Sequence, residues 1–370
     1  MKRALLLAGT LAAVLAIAGG AILGSTFRMV PRLFHRNAEL KAQGYDMGEF
    51  EFKMLAAEYQ LDHGHWLEAR RTLRRIDREM TAPVRLPRLP KDASPAERLA
   101  FMTGRQDPGT GAFMDPAYPF FTYFAPTLNA VAHIREEAER AGVPLRLAHP
   151  LRFLERIREP RDLEAYLDSL LYMHPWCARF PGPGPYGPGV SELAYYDEFE
   201  AAGVHHFSPA WQDTLRRWFY ETQDPATGFW GARLGNARHW TQKQDLNATY
   251  HILHLVLDSQ GADRSPAYPL RHADALAEGV LARLAPPLPA DAAGQHDWGL
   301  GQTQGAGMLT RLLWPRLAPG RQEAARAALR RLLVESFRLY RPESGGFAYY
   351  SSDQGADLDG TGLALGLLRA

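Results

Sequence analysis

Two short acidic segments carry the residue types that acid–base chemistry needs. Asp357-Leu358-Asp359-Gly360-Thr361 sets two carboxyls two residues apart, and Asp245-Leu246-Asn247-Ala248-Thr249 repeats the pattern with an amide in the middle. A carboxylic acid kept protonated in surroundings of low polarity can protonate a poor base. A carboxylate at the same spot can instead accept a free backbone N–H at a helix start. Both readings stand for Asp359, Asp357 and Asp245. A second set surrounds Asp245, with His239 before it and His251 and His254 after it. On a helix, the spacing of three puts His251 and His254 on one face, where with Asp245 they can run acid–base chemistry or line a polar cavity. No metal is expected, because no further ligand stands at metal-site spacing.

Aromatic residues crowd the same stretches. Tyr123 belongs to a run from Tyr118 to Phe124, Tyr196 follows Tyr195, Phe229 and Trp230 precede Trp240, Tyr250 adjoins His251, and Tyr349 adjoins Tyr350. Rings at one mouth can stack on sugar faces, shield a carbocation or fill the space between helices. Tyr123, Tyr196, Phe229, Trp230, His239, Trp240, Tyr250 and Tyr349 are therefore the candidate substrate-binding residues.

The elements that must position these groups are helices. Leu163, Tyr166, Leu167, Leu170 and Leu171 mark one helical face, and no strand-like alternation is sustained. Ser94-Pro95-Ala96-Glu97 reads as a capping box and Ser208-Pro209 as a cap with proline in the first turn. Periodicity predicts helices over Met54–His63 and Trp66–Met80 with a turn at Gly64, then over Leu246–Leu257, Ala273–Leu284 and Arg321–Tyr340. In all, about a dozen helices are expected, making about six hairpins.

An internal repeat organises them. Gln106-Asp107-Pro108-Gly109-Thr110-Gly111-Ala112-Phe113 is echoed by Gln223-Asp224-Pro225-Ala226-Thr227-Gly228-Phe229-Trp230 and more loosely by Pro342-Glu343-Ser344-Gly345-Gly346-Phe347. Each copy leads to a polar helix start, at Pro126-Thr127-Leu128-Asn129, at Asp245 and at Asp357. Weaker copies are expected in Pro181–Gly189 and around Trp298-Gly299-Leu300-Gly301.

This repeat, clearest over residues 100–370, resembles that of the terpenoid cyclase and protein prenyltransferase superfamily. The resemblance implies an all-α fold, an α/α toroid of helical hairpins whose inner helices start at one mouth. Asp357-Leu358-Asp359-Gly360-Thr361 is similar to the Asp-x-Asp-Asp-Thr acid motif of class II terpene cyclases. By that similarity Asp359 is the proton donor, and Gly360 departs from the family by replacing its last aspartate.

Composition bounds the rest. The 42 basic and 41 acidic residues leave a net charge of +1, which gives no reason to expect a nucleic-acid partner. A single cysteine, Cys177, excludes an internal disulfide. Dinucleotide fingerprints, phosphate loops, His-Glu-x-x-His and Gly-x-Ser-x-Gly elements do not occur, so no cofactor is implied. Residues 4–27 carry no charge, and Ala4 to Leu23 is long enough to span a bilayer, which takes ~20 apolar residues. Residues 1–27 thus read as a membrane anchor or signal segment, with the toroid domain over 28–370 facing the extracytoplasmic side. The apolar run passes the small-residue stretch Ala16-Ile17-Ala18, which favours an uncleaved anchor over a removed signal. The leading expectation is an enzyme using acid–base chemistry in an aromatic cavity on an isoprenoid or lipid-like substrate. The alternatives are a glycan-active hydrolase or lyase and a non-catalytic binding protein.

Overall fold

The computed structural model describes residues 24–26, 28–37, 39–40, 43, 45, 49–82, 86, 88, 92–173, 185–234, 244–353 and 355–369. Helix accounts for 64% and strand for 4%, which makes the chain all-α. Residues 1–23 of the expected anchor lie outside the described residues, as does Cys177. Among the described residues, no helix is long and apolar enough to cross a membrane. The chain divides into two compact units, Met1–Phe153 and Leu154–Ala370.

In the first unit, α1 (Phe50–Asp62) and α2 (Trp66–Thr81) form the expected hairpin, turning at Gly64 with φ +75°. Ala69, Leu73, Ile76 and Met80 give α2 one buried face at helical spacing, and Lys53 of α1 pairs with Glu79 of α2 at 3.0 Å. The capping box forms at the start of α3 (Pro95–Thr103), where Ser94 Oγ accepts the Glu97 N–H and the Glu97 carboxylate accepts the Ser94 N–H. Against α3 packs α4 (Phe124–Ala141), through Val131, Ile134 and neighbouring buried residues.

The second unit strings α5 (Pro160–Leu171), α6 (Tyr186–Val190), a 3-10 turn (Ser191–Tyr195), α7 (Tyr196–Ala201), α8 (Pro209–Thr222) and α9 (Leu246–Val256). It continues through α10 (Ala273–Leu284), α11 (Ala292–Gly307), a π-helical turn (Met308–Leu313), α12 (Pro319–Phe337) and α13 (Leu358–Arg369). Packing alternates along this chain. One set of contacts joins α5 to α8 and α10 to α12, and another joins the 3-10 turn to α9, α9 to α11, and α11 to α13. Two small sheets accompany them. β1 (Tyr172–Met173) runs parallel to β2 (Arg233–Leu234), and β3 (Tyr340–Arg341) pairs antiparallel with β4 (Gly346–Phe347), Tyr340 facing Phe347.

The segment expected as a weak turn copy at Trp298–Gly301 is instead the interior of α11. Its glycines serve close packing between helices. A Cβ at Gly305 would lie 2.9 Å from Leu284 of α10, one at Gly307 would lie 3.3 Å from the Tyr250 ring of α9, and one at Gly299 would lie 3.3 Å from Leu363 of α13. Each such glycine weakens an isolated helix by about 1 kcal/mol. Neighbours that reach within van der Waals distance of the α11 backbone offset this.

The repeated turns have one hydrogen-bonding scheme. In the first copy Gln106 Nε2 donates to Gly111 O at 2.7 Å and Gly111 N–H donates to Asp107 O at 2.8 Å. In the second, Gln223 Nε2 donates to Gly228 O at 2.8 Å and Gly228 N–H donates to Asp224 O at 2.8 Å. Gly111, Gly228 and Gly345 have φ of +73°, +72° and +69°, a region that favours glycine. In all three copies a threonine in the first turn of the next helix accepts the N–H of the turn's aromatic residue. Phe113 donates to Thr127, Trp230 to Thr249 and Phe347 to Thr361, each at 3.0 Å.

Candidate functional site

The start of α9 is built by its cap. Asp245 Oδ1 accepts the Ala248 N–H at 2.9 Å and the Asp245 carbonyl accepts the Thr249 N–H at 3.0 Å, so the helix begins at Leu246 as expected. One turn later, Tyr250, His251 and His254 face the 3-10 turn that carries Glu192 and Tyr195. Glu192 Oε1 lies 2.9 Å from His251 Nδ1, with both side chains 17% exposed. The geometry is not that of an aligned hydrogen bond, and the pair is one of opposite charges only when the imidazole is protonated. Tyr195 meets His251 edge to face with ring centres 5.2 Å apart and lies 5.8 Å from His254, and Tyr250 meets His254 at 4.8 Å.

These environments separate the acids from the bases. Burial, with Glu192 next in effect, pushes the Tyr195 phenol up, so it stays protonated and can donate. Burial, reinforced by His251, Arg264 and Arg311, pushes His254 down, so it stays neutral and can accept. Behind the helix start, Tyr186 is 1% exposed, and its hydroxyl is pushed up first by burial and then by the charge of Asp245, with Arg233 opposing. The cluster thus holds a protonated phenol and a neutral imidazole on one side of α9. Among the described residues, no three His, Cys, Asp or Glu side chains converge as a metal site.

The other sequence candidates fall in different places. His239 and Trp240 lie outside the described residues. Asp357 caps α13, with Oδ1 accepting the Gly360 N–H at 2.7 Å and Oδ2 accepting the Tyr349 N–H at 2.6 Å. Both of its carboxyl oxygens are thus engaged with backbone N–H groups. Asp359 is the second residue of α13, and its side chain lies outside the described ones. At Gly360 a Cβ would sit 2.5 Å from both Ala348 C and Tyr349 N, so the aspartate that class II cyclases carry there cannot fit this backbone.

The remaining aromatics are mostly interior. Phe229 and Trp230 are 0% and 1% exposed, and Trp230 Nε1 donates to Phe219 O at 2.7 Å, so both fill the core of their turn. Tyr196 is buried and engaged on the α8 side, its hydroxyl donating to Gln212 Oε1 at 3.0 Å and accepting from Arg216 at 2.6 Å. Tyr123, in the first unit, is buried with its hydroxyl donating to Pro116 O at 3.0 Å. Tyr349 is part-exposed beside Tyr350. Of the predicted residues, Tyr250, His251 and His254 come together, joined by Glu192 and Tyr195, while Asp245 caps the same helix before them. Glu192 was missed because nothing local to Ser191–Tyr195 pairs it with a helix 59 positions on.

No protein-family model matches the chain, and no curated protein or solved structure matches it. The resemblance to the terpenoid cyclase and prenyltransferase toroids rests on the repeats themselves.

Proposed function

We propose that the second unit carries an acid–base site for a glycan, as a hydrolase or lyase, built from Glu192, Tyr195, Tyr250, His251 and His254. The observation that supports it is the meeting of these groups from two segments far apart in sequence, with Glu192 2.9 Å from His251. In this reading neutral His254 accepts a proton and the Tyr195 phenol supplies one. His251, beside Glu192, hydrogen-bonds a polar substrate group, and Tyr250 offers its ring to a sugar face. The alternation of packing in the second unit supports paired helical hairpins there, of the kind an α/α toroid is built from. Residues 1–27 tether the enzyme to the membrane with its body on the extracytoplasmic side, where glycans are met.

The isoprenoid reading keeps one observation in its favour. A shallow cleft, open to solvent and lined by Trp298, Leu339, Phe347, Tyr349 and Leu363, adjoins the start of α13. Among the described side chains it has no free acid, because both Asp357 oxygens accept backbone N–H groups and position 360 admits no side chain.

The test is to incubate the full chain with neutral and uronate-containing polysaccharides, following new reducing ends for hydrolysis and unsaturated ends for elimination. Either signal, lost in Tyr195→Phe, supports the proposal. No turnover on any polysaccharide, together with a prenyl lipid retained by the natively purified protein, overturns it.

A further inference from the structure

The helix α12 presents two unlike faces. Ala325, Ala328, Leu332 and Ser336 are buried at helical spacing, while Ala327, Arg330, Arg331, Val334, Phe337 and Arg338 recur at the complementary positions and are exposed. Val334 is 68% exposed and Phe337 53%, and Tyr340, at the start of β3, is 37% exposed. Phe337 and Tyr340 are held as a cluster over Phe347, with ring centres 5.5 and 5.2 Å from it. The apolar residues are therefore fixed in place on the surface, flanked by guanidinium groups.

Part of the charge on this side of the helix is paired and part is not. Arg338 pairs with Glu335 at 2.8 Å and Arg326 with Glu323 at 3.2 Å, both within the helix. Arg330 and Arg331 have no ion-pair partner among the described residues. A stripe of valine and phenylalanine flanked by arginines is the pattern of a helix lying in a bilayer interface, where the apolar side chains enter the acyl boundary and the guanidiniums meet headgroup phosphates. A nucleic acid would satisfy the arginines but leave Val334 and Phe337 in water against a charged backbone. A neutral protein groove would bury Val334 and Phe337 but leave Arg330 and Arg331 unmatched.

We infer that the outer face of α12, centred on Val334 and flanked by Arg330, Arg331 and Arg338, rests on an anionic lipid surface. The uncharged stretch at residues 4–27 would keep such a surface within reach, but the inference stands on the face itself. Contact with lipid by this face orients the second unit on the membrane, which a tether alone would not do.

The experiment uses the full chain reconstituted into vesicles of phosphatidylcholine alone or with added phosphatidylglycerol. Val334→Cys, in a Cys177→Ser background, carries a polarity-sensitive dye, and Phe337→Cys provides a second reporter whose melting curve is checked separately. In anionic vesicles the dye should shift to the blue and be quenched by brominated acyl chains, and added salt should reverse both changes. Replacing Arg330 and Arg331 with glutamine should lower the inserted-to-free ratio roughly thirty-fold. Equal spectra in neutral and anionic vesicles, with either reporter, would overturn the inference. So would a shift that follows protein density and ignores lipid charge, which would assign the face to a second copy, or one produced by nucleic acid alone.

Discussion

The starts of α9 and α13 share one backbone plan and differ one helical turn further on. At both, the capping aspartate donates its N–H to the turn's aromatic residue, Asp245 to Trp230 O at 3.3 Å and Asp357 to Phe347 O at 3.1 Å. At both, a threonine hydroxyl closes the clamp, Thr249 on Trp230 and Thr361 on Phe347. Aligned from these caps, Tyr250, His251 and His254 of α9 correspond to Gly362, Leu363 and Gly366 of α13. Asp and Thr thus serve the fold at these two starts, and the first copy keeps the threonine alone, with Tyr123 in the aspartate's place. The residues past the cap are where the copies part, and only α9 carries titratable groups there.

Substitutions at the two turn glycines should separate the copies most. At Gly228 a Cβ would meet Leu276 N at 2.5 Å and His272 O at 2.6 Å, whereas at Gly345 it would meet nothing within 4 Å. Gly228→Ala should cost roughly 3 kcal/mol or more, from strain plus collision with backbone, and Gly345→Ala about 1 kcal/mol from the left-handed conformation alone. Denaturant melts of the two variants check this, and equal losses would break the alignment of the turns. Next come the clamps. Thr249→Val leaves the buried Trp230 N–H unpaired and should cost roughly 1–3 kcal/mol. Thr361 is less buried, so Thr361→Val should fall at or below the lower end of that range in the same melts.

A smaller effect is expected from His254. Its folded-state pKa lies below the ordinary value, so the unfolded chain binds its proton first as pH falls. Above pH about 6.5 this residue makes stability independent of pH, and below it the folded state loses ground. The stability difference between the natural protein and His254→Gln should therefore move against the natural protein as pH drops below about 6.5. A difference that stays constant from pH 8 to pH 5, about the range over which an ordinary histidine titrates, would show that His254 is not held neutral.

Much of the fold was legible in sequence because it depends on local rules. Gly111, Gly228 and Gly345 stand at positive φ, Ser94 and Ser208 cap their helices, and the start of α9 at Leu246 follows from its aspartate. The Trp298–Gly301 segment misled for a physical reason: glycines that mark turns elsewhere here admit neighbouring helices to α11. For the site, the helix face of His251 and His254 was readable from spacing. Its partners Glu192 and Tyr195 were not, because they arrive through packing of the 3-10 turn on α9, which leaves no periodic trace. Phe229 and Trp230 looked like binding aromatics by type, but burial in the turn makes them core.

The central claim is that chemistry resides on α9 while the acidic pair on α13 belongs to the helix start. Turnover of a cleaved polysaccharide by His254→Gln and by Asp359→Asn, each corrected for folded protein by its melting curve, tests it most directly. The account predicts a loss of ~10²–10⁴-fold for His254→Gln and near-normal turnover for Asp359→Asn. A silent His254→Gln beside a collapse in Asp359→Asn, with both proteins folded, would contradict it and return the acid to α13.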